Sequence, residues 1–227
     1  MLKKFLPIGL LFFSINVFAN NTLWGAQPIS PTCYTPNQTS IIAQAPTLQA
    51  KILNDAMTAY NHLCQSCYDS QGILTVVDYT KPSTDPRLWV IDLKNSKVLE
   101  IALVAHGKGS GDNDATIFSN DPGTLASSIG VYLTGTTYYG SHGYALRLQG
   151  LEPGVNDNAY KRTIVVHSAW YISEDFAKKY GHLGRSWGCF ALSKDVYKSI
   201  IANIKGGTVF FVYYSDADWL RSSKFLH

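Results

Sequence analysis

Ile73-Leu74-Thr75-Val76-Val77-Asp78, Leu88-Trp89-Val90-Ile91-Asp92-Leu93 and Val98-Leu99-Glu100-Ile101-Ala102-Leu103-Val104-Ala105 follow one another within residues 73–105. Each is a short run rich in β-branched and apolar residues, and Pro, Asp and Asn95-Ser96 turn signals separate them. Such runs specify consecutive strands. Downstream the same reading predicts strands over 127–134, 144–148, 163–166 and 209–213. It predicts a short helix over 174–180 and a longer one over 194–204. The latter sets Val196, Ile200, Ile201 and Ile204 on one face and stops at Gly206-Gly207. Strands do not alternate with long helices, which disfavours a parallel α/β fold. No internal repeat is present. The expected fold class is mainly β with peripheral helices (α+β), over residues 71–227.

Upstream of the strands the period changes. Leu48, Ile52, Leu53, Ala56, Tyr60, Leu63, Cys64 and Cys67 recur at three- and four-residue steps. This is the stripe of a helix over 47–70 that packs on the β domain. Residues 20–46, rich in Thr, Ser, Asn, Gln and Pro, read as an extended segment. Residues 1–19 carry Lys3 and Lys4, an apolar run over 5–17, and small residues Val17 and Ala19 at the −3 and −1 positions of a cleavage site. That run is shorter than the roughly 20 residues of a membrane span, so an export signal is expected rather than an anchor.

Composition narrows the function classes. Of the 227 residues, 46% are hydrophobic and 15% charged, which excludes a disordered chain and disfavours a coiled coil. The formal charge of +3 falls to +1 on loss of Lys3 and Lys4, too little to point to nucleic acid. An exported chain can form disulfides: Cys33 with Cys64 or Cys67, or Cys64 with Cys67. The Cys64-x-x-Cys67 pair has no second Cys/His pair at zinc-ribbon spacing.

The chemistry centres on Gly184-Arg185-Ser186-Trp187-Gly188-Cys189. A cysteine after small residues, just before the apolar run Phe190-Ala191-Leu192, sits on a tight loop beside free backbone amides. A thiol with an ordinary pKa of about 8.5 needs a base. His167, at the end of the run Thr163-Ile164-Val165-Val166, is the leading candidate, because a strand gives a catalytic group a rigid mount. His106 and His142 sit at similar strand-to-loop junctions, and His182 lies on the loop leading to Cys189. The plainer reading is a buried small hydrophobe at Cys189 and a backbone-bonded ring at His167. No local His pair favours a metal site, and neither a metal nor another cofactor is expected.

His167 followed, after residues 168–185, by Ser186-x-Gly188-Cys189 resembles the signature of the L,D-transpeptidases, YkuD-like enzymes that remodel bacterial peptidoglycan. The likeness is to the murein L,D-transpeptidase catalytic domain family. It extends to Val104-Ala105-His106-Gly107-Lys108-Gly109-Ser110-Gly111, Phe118-Ser119-Asn120, Ser127-Ser128-Ile129-Gly130, His142-Gly143-Tyr144-Ala145-Leu146-Arg147-Leu148 and residues 184–191, covering roughly 70–213. Trp187 stands where the wider YkuD-like family usually has His. Phe190-Ala191-Leu192 follow the cysteine where many members carry Arg or Asn, and Ser168 replaces the commoner Gly.

The resemblance implies a β-sandwich or barrel and an exported, periplasmic or cell-envelope cysteine acyltransferase that acts on peptidoglycan stem peptides. Cys189 would attack the L,D bond before a terminal D-alanine. His167 would act as base and acid, with the Ser168 carbonyl fixing its tautomer. Backbone amides of Gly188 and Cys189, with Trp187 a further candidate, would form the oxyanion hole. Substrate contacts would come from Arg185, Ser186, Trp187, His142, His106, Arg147 and Tyr171, with Arg185 replacing the missing positive charge. The thioester would pass to an amine. The rival readings are a carboxypeptidase or endopeptidase using water, and a wall-binding module without catalysis.

Overall fold

The computed structural model describes residues 33–66, 68, 71–141 and 143–227. The expected export signal, Cys67 and His142 lie outside them. Eight strands join in one sheet: β1 Ile73–Asp78, β2 Leu88–Asp92, β3 Lys97–Ala102, β4 Gly130–Gly140, β5 Gly143–Gly150, β6 Val165–Ser168, β7 Phe190–Leu192 and β8 Val209–Tyr213. Their order is β3-β2-β1-β8-β4-β5-β6-β7. Pairing is parallel at β1–β8 and β6–β7 and antiparallel elsewhere. The fold is mainly β with a few helices, as expected.

The two edge strands do not stay apart. Beyond β3 the chain runs on to β7, where Ala105 N donates to Ala191 O at 2.9 Å, Ser186 N to His106 O at 3.0 Å and Lys108 N to Ser186 O at 2.9 Å. Gly107 and Ser186 form a parallel bridge there. This seam nearly closes the sheet into a barrel and satisfies edge amides that would otherwise invite pairing with another chain.

The central strands are buried on both faces. In β1, Leu74, Thr75, Val76 and Val77 are fully buried, as are Val209, Phe210, Phe211 and Val212 of β8. That is why they read as continuous apolar runs rather than as alternating ones. Helix α2, Ala50–Gln65, lays Ile52, Leu53, Ala56, Met57, Tyr60, Leu63 and Cys64 against β1 and β8. Cys64, at its end, is disulfide-bonded to Cys33.

The reading of 20–46 as wholly extended is corrected. Residues Gln38–Gln44 form helix α1, capped by Asn37 Oδ1, which accepts from Ser40 N. Ile41 is buried, and Gln44 bonds Ser96 O and Val98 N at the β3 edge. One buried isoleucine and an edge-capping glutamine organise a stretch whose composition is otherwise polar. Three further helices complete the fold: α3 Glu174–Tyr180, α4 Tyr197–Ile204 and α5 Ala217–Ser222.

Candidate active site

Strands β6 and β7 set Cys189 and His167 on one face. Their parallel register pairs Val166 with Phe190, His167 with Ala191 and Ser168 with Leu192. Side chains alternate along a strand. Val166, Phe190 and Leu192 accordingly enter the main core, while Ala191 belongs to a separate small cluster on the opposite face. Cys189, two residues before Ala191, shares that opposite face with His167. It is half-buried and is the free cysteine among the described residues. His167 is 3% exposed, so it lies under the surface rather than on an open rim. Its Nδ1–H donates to Ser168 O at 2.9 Å, which leaves Nε2 as the lone-pair nitrogen.

The loop before Cys189 is held from several sides. Ser186 Oγ donates to Cys189 O at 2.6 Å and accepts from Gly188 N at 3.1 Å. Ser127 Oγ donates to Gly188 O at 3.1 Å and accepts from Gly107 N at 3.0 Å. Gly188 has φ +114, and a Cβ there would lie 2.8 Å from both Ala126 O and Ile164 Cδ1. Gly107 lies against it: a Cβ on Gly107 would fall 2.8 Å from the Gly188 Cα. Both glycines are required by close backbone approach.

Because the Gly188 amide is taken by Ser186, it is not free to serve an oxyanion, and its expected catalytic part reduces to shaping the loop. Among the described residues, the amides of Trp187 and Cys189 have no acceptor. Burial pushes the Cys189 thiol up from its ordinary pKa, against the smaller opposing effects of the Val165 backbone and Arg162. The sulfur therefore rests as a thiol, donating to Thr163 O at 3.6 Å.

Cys189 opens into a cavity of about 430 Å³ lined also by Pro122, Gly123, Leu125, Tyr138, Ser141, Arg162, Thr163, Val165 and Trp187. Leu125 and Thr163 both have φ of +57, a conformation rare for residues with a Cβ. Backbone strain of this kind costs about 1–3 kcal/mol per residue and clusters at functional sites.

The other residues expected at the site divide. Trp187 lines the cavity and is 72% exposed, with Lys108 Nζ 6.0 Å from its ring centroid. Ser186 is buried and acts on the loop. Arg185 pairs with Asp112 and, with Tyr171, lines a neighbouring hollow that also holds Lys108, Trp170, Phe176 and His182. Arg147 is engaged elsewhere, 4.3 Å from the Tyr138 ring centroid and 5.5 Å from that of Tyr160.

His106 is corrected: its ring is fully buried and does not reach the cavity. Nδ1 accepts from the Arg87 guanidinium at 2.8 Å and Nε2 faces Gly111 O at 3.3 Å. Burial first, and Arg87 second, pull its pKa down to about 4, so the ring is neutral.

The charged residue in the cavity wall is Arg162, which the sequence reading did not single out. It lies in a stretch without apolar period, so no local pattern marks it. The loop that carries it is pinned by buried polar groups. Asn156 Nδ2 donates to Ile129 O and Val131 O, while Glu152 accepts from Val131 N and Trp219 Nε1. Ser127, the link between Gly107 and Gly188, does fall within the quoted motif Ser127-Ser128-Ile129-Gly130.

A sheet closed by a seam, with a cysteine loop entering its last strand beside a histidine, defines the kind of domain. The chain belongs to the family whose model is described as the L,D-transpeptidase catalytic domain, which matches residues 44–213. The match takes in α2 and so begins earlier than the resemblance over 70–213 implied. No curated protein sequence matches the chain.

Among solved structures the chain is similar to an L,D-transpeptidase from Mycobacterium smegmatis, at 16% identity and TM-score 0.38, covering 63% of this chain and 59% of that one. It is similar to the helical cell shape determining protein Pgp2 of Campylobacter jejuni, at 15% identity and TM-score 0.37, covering 63% and 48%. For the L,D-transpeptidase of Xylanimonas cellulosilytica the values are 12% identity and TM-score 0.35, covering 82% and 98%. The chain spans about three-fifths of the length of the first solved structures it matches.

Proposed function

We propose that the protein is an exported cysteine acyltransferase acting on peptidoglycan stem peptides. The observation that carries the reading is the placement of Cys189 and His167 on one face of adjacent strands, with the imidazole tautomer set by Ser168 O and the sulfur open to a cavity. Family membership supports the substrate class. The Cys33–Cys64 disulfide is a bond that an oxidising compartment maintains, and it supports export. No helix among the described residues is long and apolar enough to cross a membrane.

His167 Nε2 takes the thiol proton as Cys189 Sγ forms a bond to the carbonyl carbon preceding the terminal D-alanine. The Trp187 and Cys189 amides receive the oxyanion. The C–N bond then breaks, the imidazolium protonates the departing D-alanine nitrogen, and a thioester remains. An amine on a second stem attacks the thioester, loses a proton to His167 and restores the thiol, leaving a cross-link. Because the resting sulfur is protonated, the base is needed at the moment of attack.

Mass spectrometry of the purified protein with tetrapeptide muropeptides tests this reading. D-alanine release and dimer formation are expected, together with a covalent carbapenem adduct on the protein. Cys189→Ala should lose all three. An alanine variant that still releases D-alanine sinks the assignment, and trimmed monomers without dimers assign water as the acceptor.

A further inference from the structure

Trp170 follows His167 by three residues, just past the end of β6, and is 70% exposed. Its ring stands nearly perpendicular to two neighbours, Tyr171 at 5.8 Å and Phe176 at 5.9 Å between centroids, and neither stacks flat on it. Phe176 packs in turn on Tyr180 at 4.4 Å. Phe176 and Tyr180 belong to helix α3, which buries no residue of its own. Core packing does not account for that helix; support of an exposed aromatic shelf does.

The shelf is tied to the nucleophile loop. Tyr171 O accepts from Gly184 N at 3.0 Å, and a Cβ on Gly184 would fall 2.4 Å from the Tyr171 ring, so ring and loop meet only at a glycine. Trp170 lines a hollow of about 260 Å³, walled also by Lys108, Tyr171, Phe176, His182 and Arg185. Sites for drug-sized ligands run from roughly 300 to 1,000 Å³, so this one suits a single ring. Lys108 sets its Nζ 6.0 Å from the Trp187 ring centroid, and Trp187 lines the Cys189 cavity. The two hollows therefore share a border.

We propose that this hollow binds one N-acetylhexosamine ring of the glycan strand, stacked on Trp170, while the attached stem reaches Cys189. The proposal rests on the peptidoglycan reading and adds a sugar subsite outside the Cys189 cavity. A pyranose has a flat face of polarised C–H bonds, which suits the negative face of an aromatic ring, and a rim of hydroxyl and acetamide groups. The hollow offers both: aromatic rings for the face, and Lys108, Arg185 and His182 for the rim. His182 Nδ1–H donates to Leu183 O at 2.6 Å, which leaves Nε2 to accept from a hydroxyl. The charge around the shelf favours a neutral ligand. Arg185 is matched by Asp112, and α3 sets Glu174 and Asp175 against Lys178 and Lys179. That balance gives an anionic membrane surface little to attract it. Arg185 stands four residues before Cys189, about 14 Å at most, and three extended stem residues before the scissile bond span about 10 Å, to which the link to the sugar adds.

The probe is a β-1,4-linked hexamer of N-acetylglucosamine, which carries no stem. The purified protein should bind it saturably, read from backbone amide shifts in NMR. Trp170→Ala should weaken that binding at least fivefold, and Trp170→Phe should restore part of it. Because the indole is mostly exposed, its removal leaves the core packed. D-alanine release from polymeric peptidoglycan, relative to release from the free tetrapeptide, should also fall at least fivefold in Trp170→Ala. That ratio is internal to each variant, so a general loss of activity does not move it.

No hexamer binding by the wild type, or equal binding by Trp170→Ala, overturns the inference and leaves acyl transfer standing. An unchanged release ratio in Trp170→Ala likewise overturns it, since a sugar held there would not be on the path of the reaction. Binding to phosphatidylglycerol vesicles that Trp170→Ala loses, without hexamer binding, overturns it and assigns the shelf to a membrane. Hexamer binding with no D-alanine release from either substrate overturns the acyl-transfer reading alone.

Discussion

His106 shows how one side chain couples the site to acidity without joining the chemistry. Its pKa is lowered from 6.5 to about 4 by burial and by Arg87. The unfolded chain therefore takes up a proton between those values that the folded protein refuses. Stability is full above pH 6.5, falls as pH drops through the window and levels off near pH 4. The contribution at stake is roughly 3 kcal/mol. Comparing urea unfolding of the wild type and His106→Asn at pH 7 and pH 4.5 measures it. The variant should lose less stability on acidification, and equal losses would show that the ring is not the titrating group.

At this scale Cys189, His167 and Ser168 were legible because their types and spacing form a motif. His106 was not legible as a buried ring, because a histidine at a strand end reads the same whether it faces substrate or an arginine. Arg162 was invisible because its meaning depends on carbonyls at 119 and 126, which only the folded loops bring together.

The elements were legible in proportion to how much each organises its own core. Strands β1, β2 and β8 and helix α3 lie where their patterns predict. Three residues of β7 are too few for a pattern, and that strand exists because β6 offers it a ladder. Helices α1 and α5 have 7 and 6 residues and depend on caps and a few buried contacts, so composition alone conceals them. Helix α2 has in addition a covalent tie to Cys33 across 31 positions of chain. A loop of that length is worth roughly 3–4 kcal/mol in chain-entropy terms. Replacing Cys33 and Cys64 together by Ser should lower the urea midpoint accordingly. A shift below about 0.5 kcal/mol would mean that packing of α2 on β1 and β8 holds the helix unaided.

For the whole molecule, the sheet's main core lies around β1 and β8, whereas Cys189 lies beside the seam joining residues 105–108 to 186–191. A few backbone bonds and a small apolar cluster hold one face of that seam, while Phe190 ties its other face to the main core. Local opening there should cost less than global unfolding. Turnover should therefore vanish at a lower urea concentration than the tryptophan fluorescence change, and coincident transitions would refute this. If turnover is lost first, the proposed chemistry is silenced before the fold is lost: mild stress switches it off while most of the scaffold endures, and relief of the stress should return activity without refolding from the beginning.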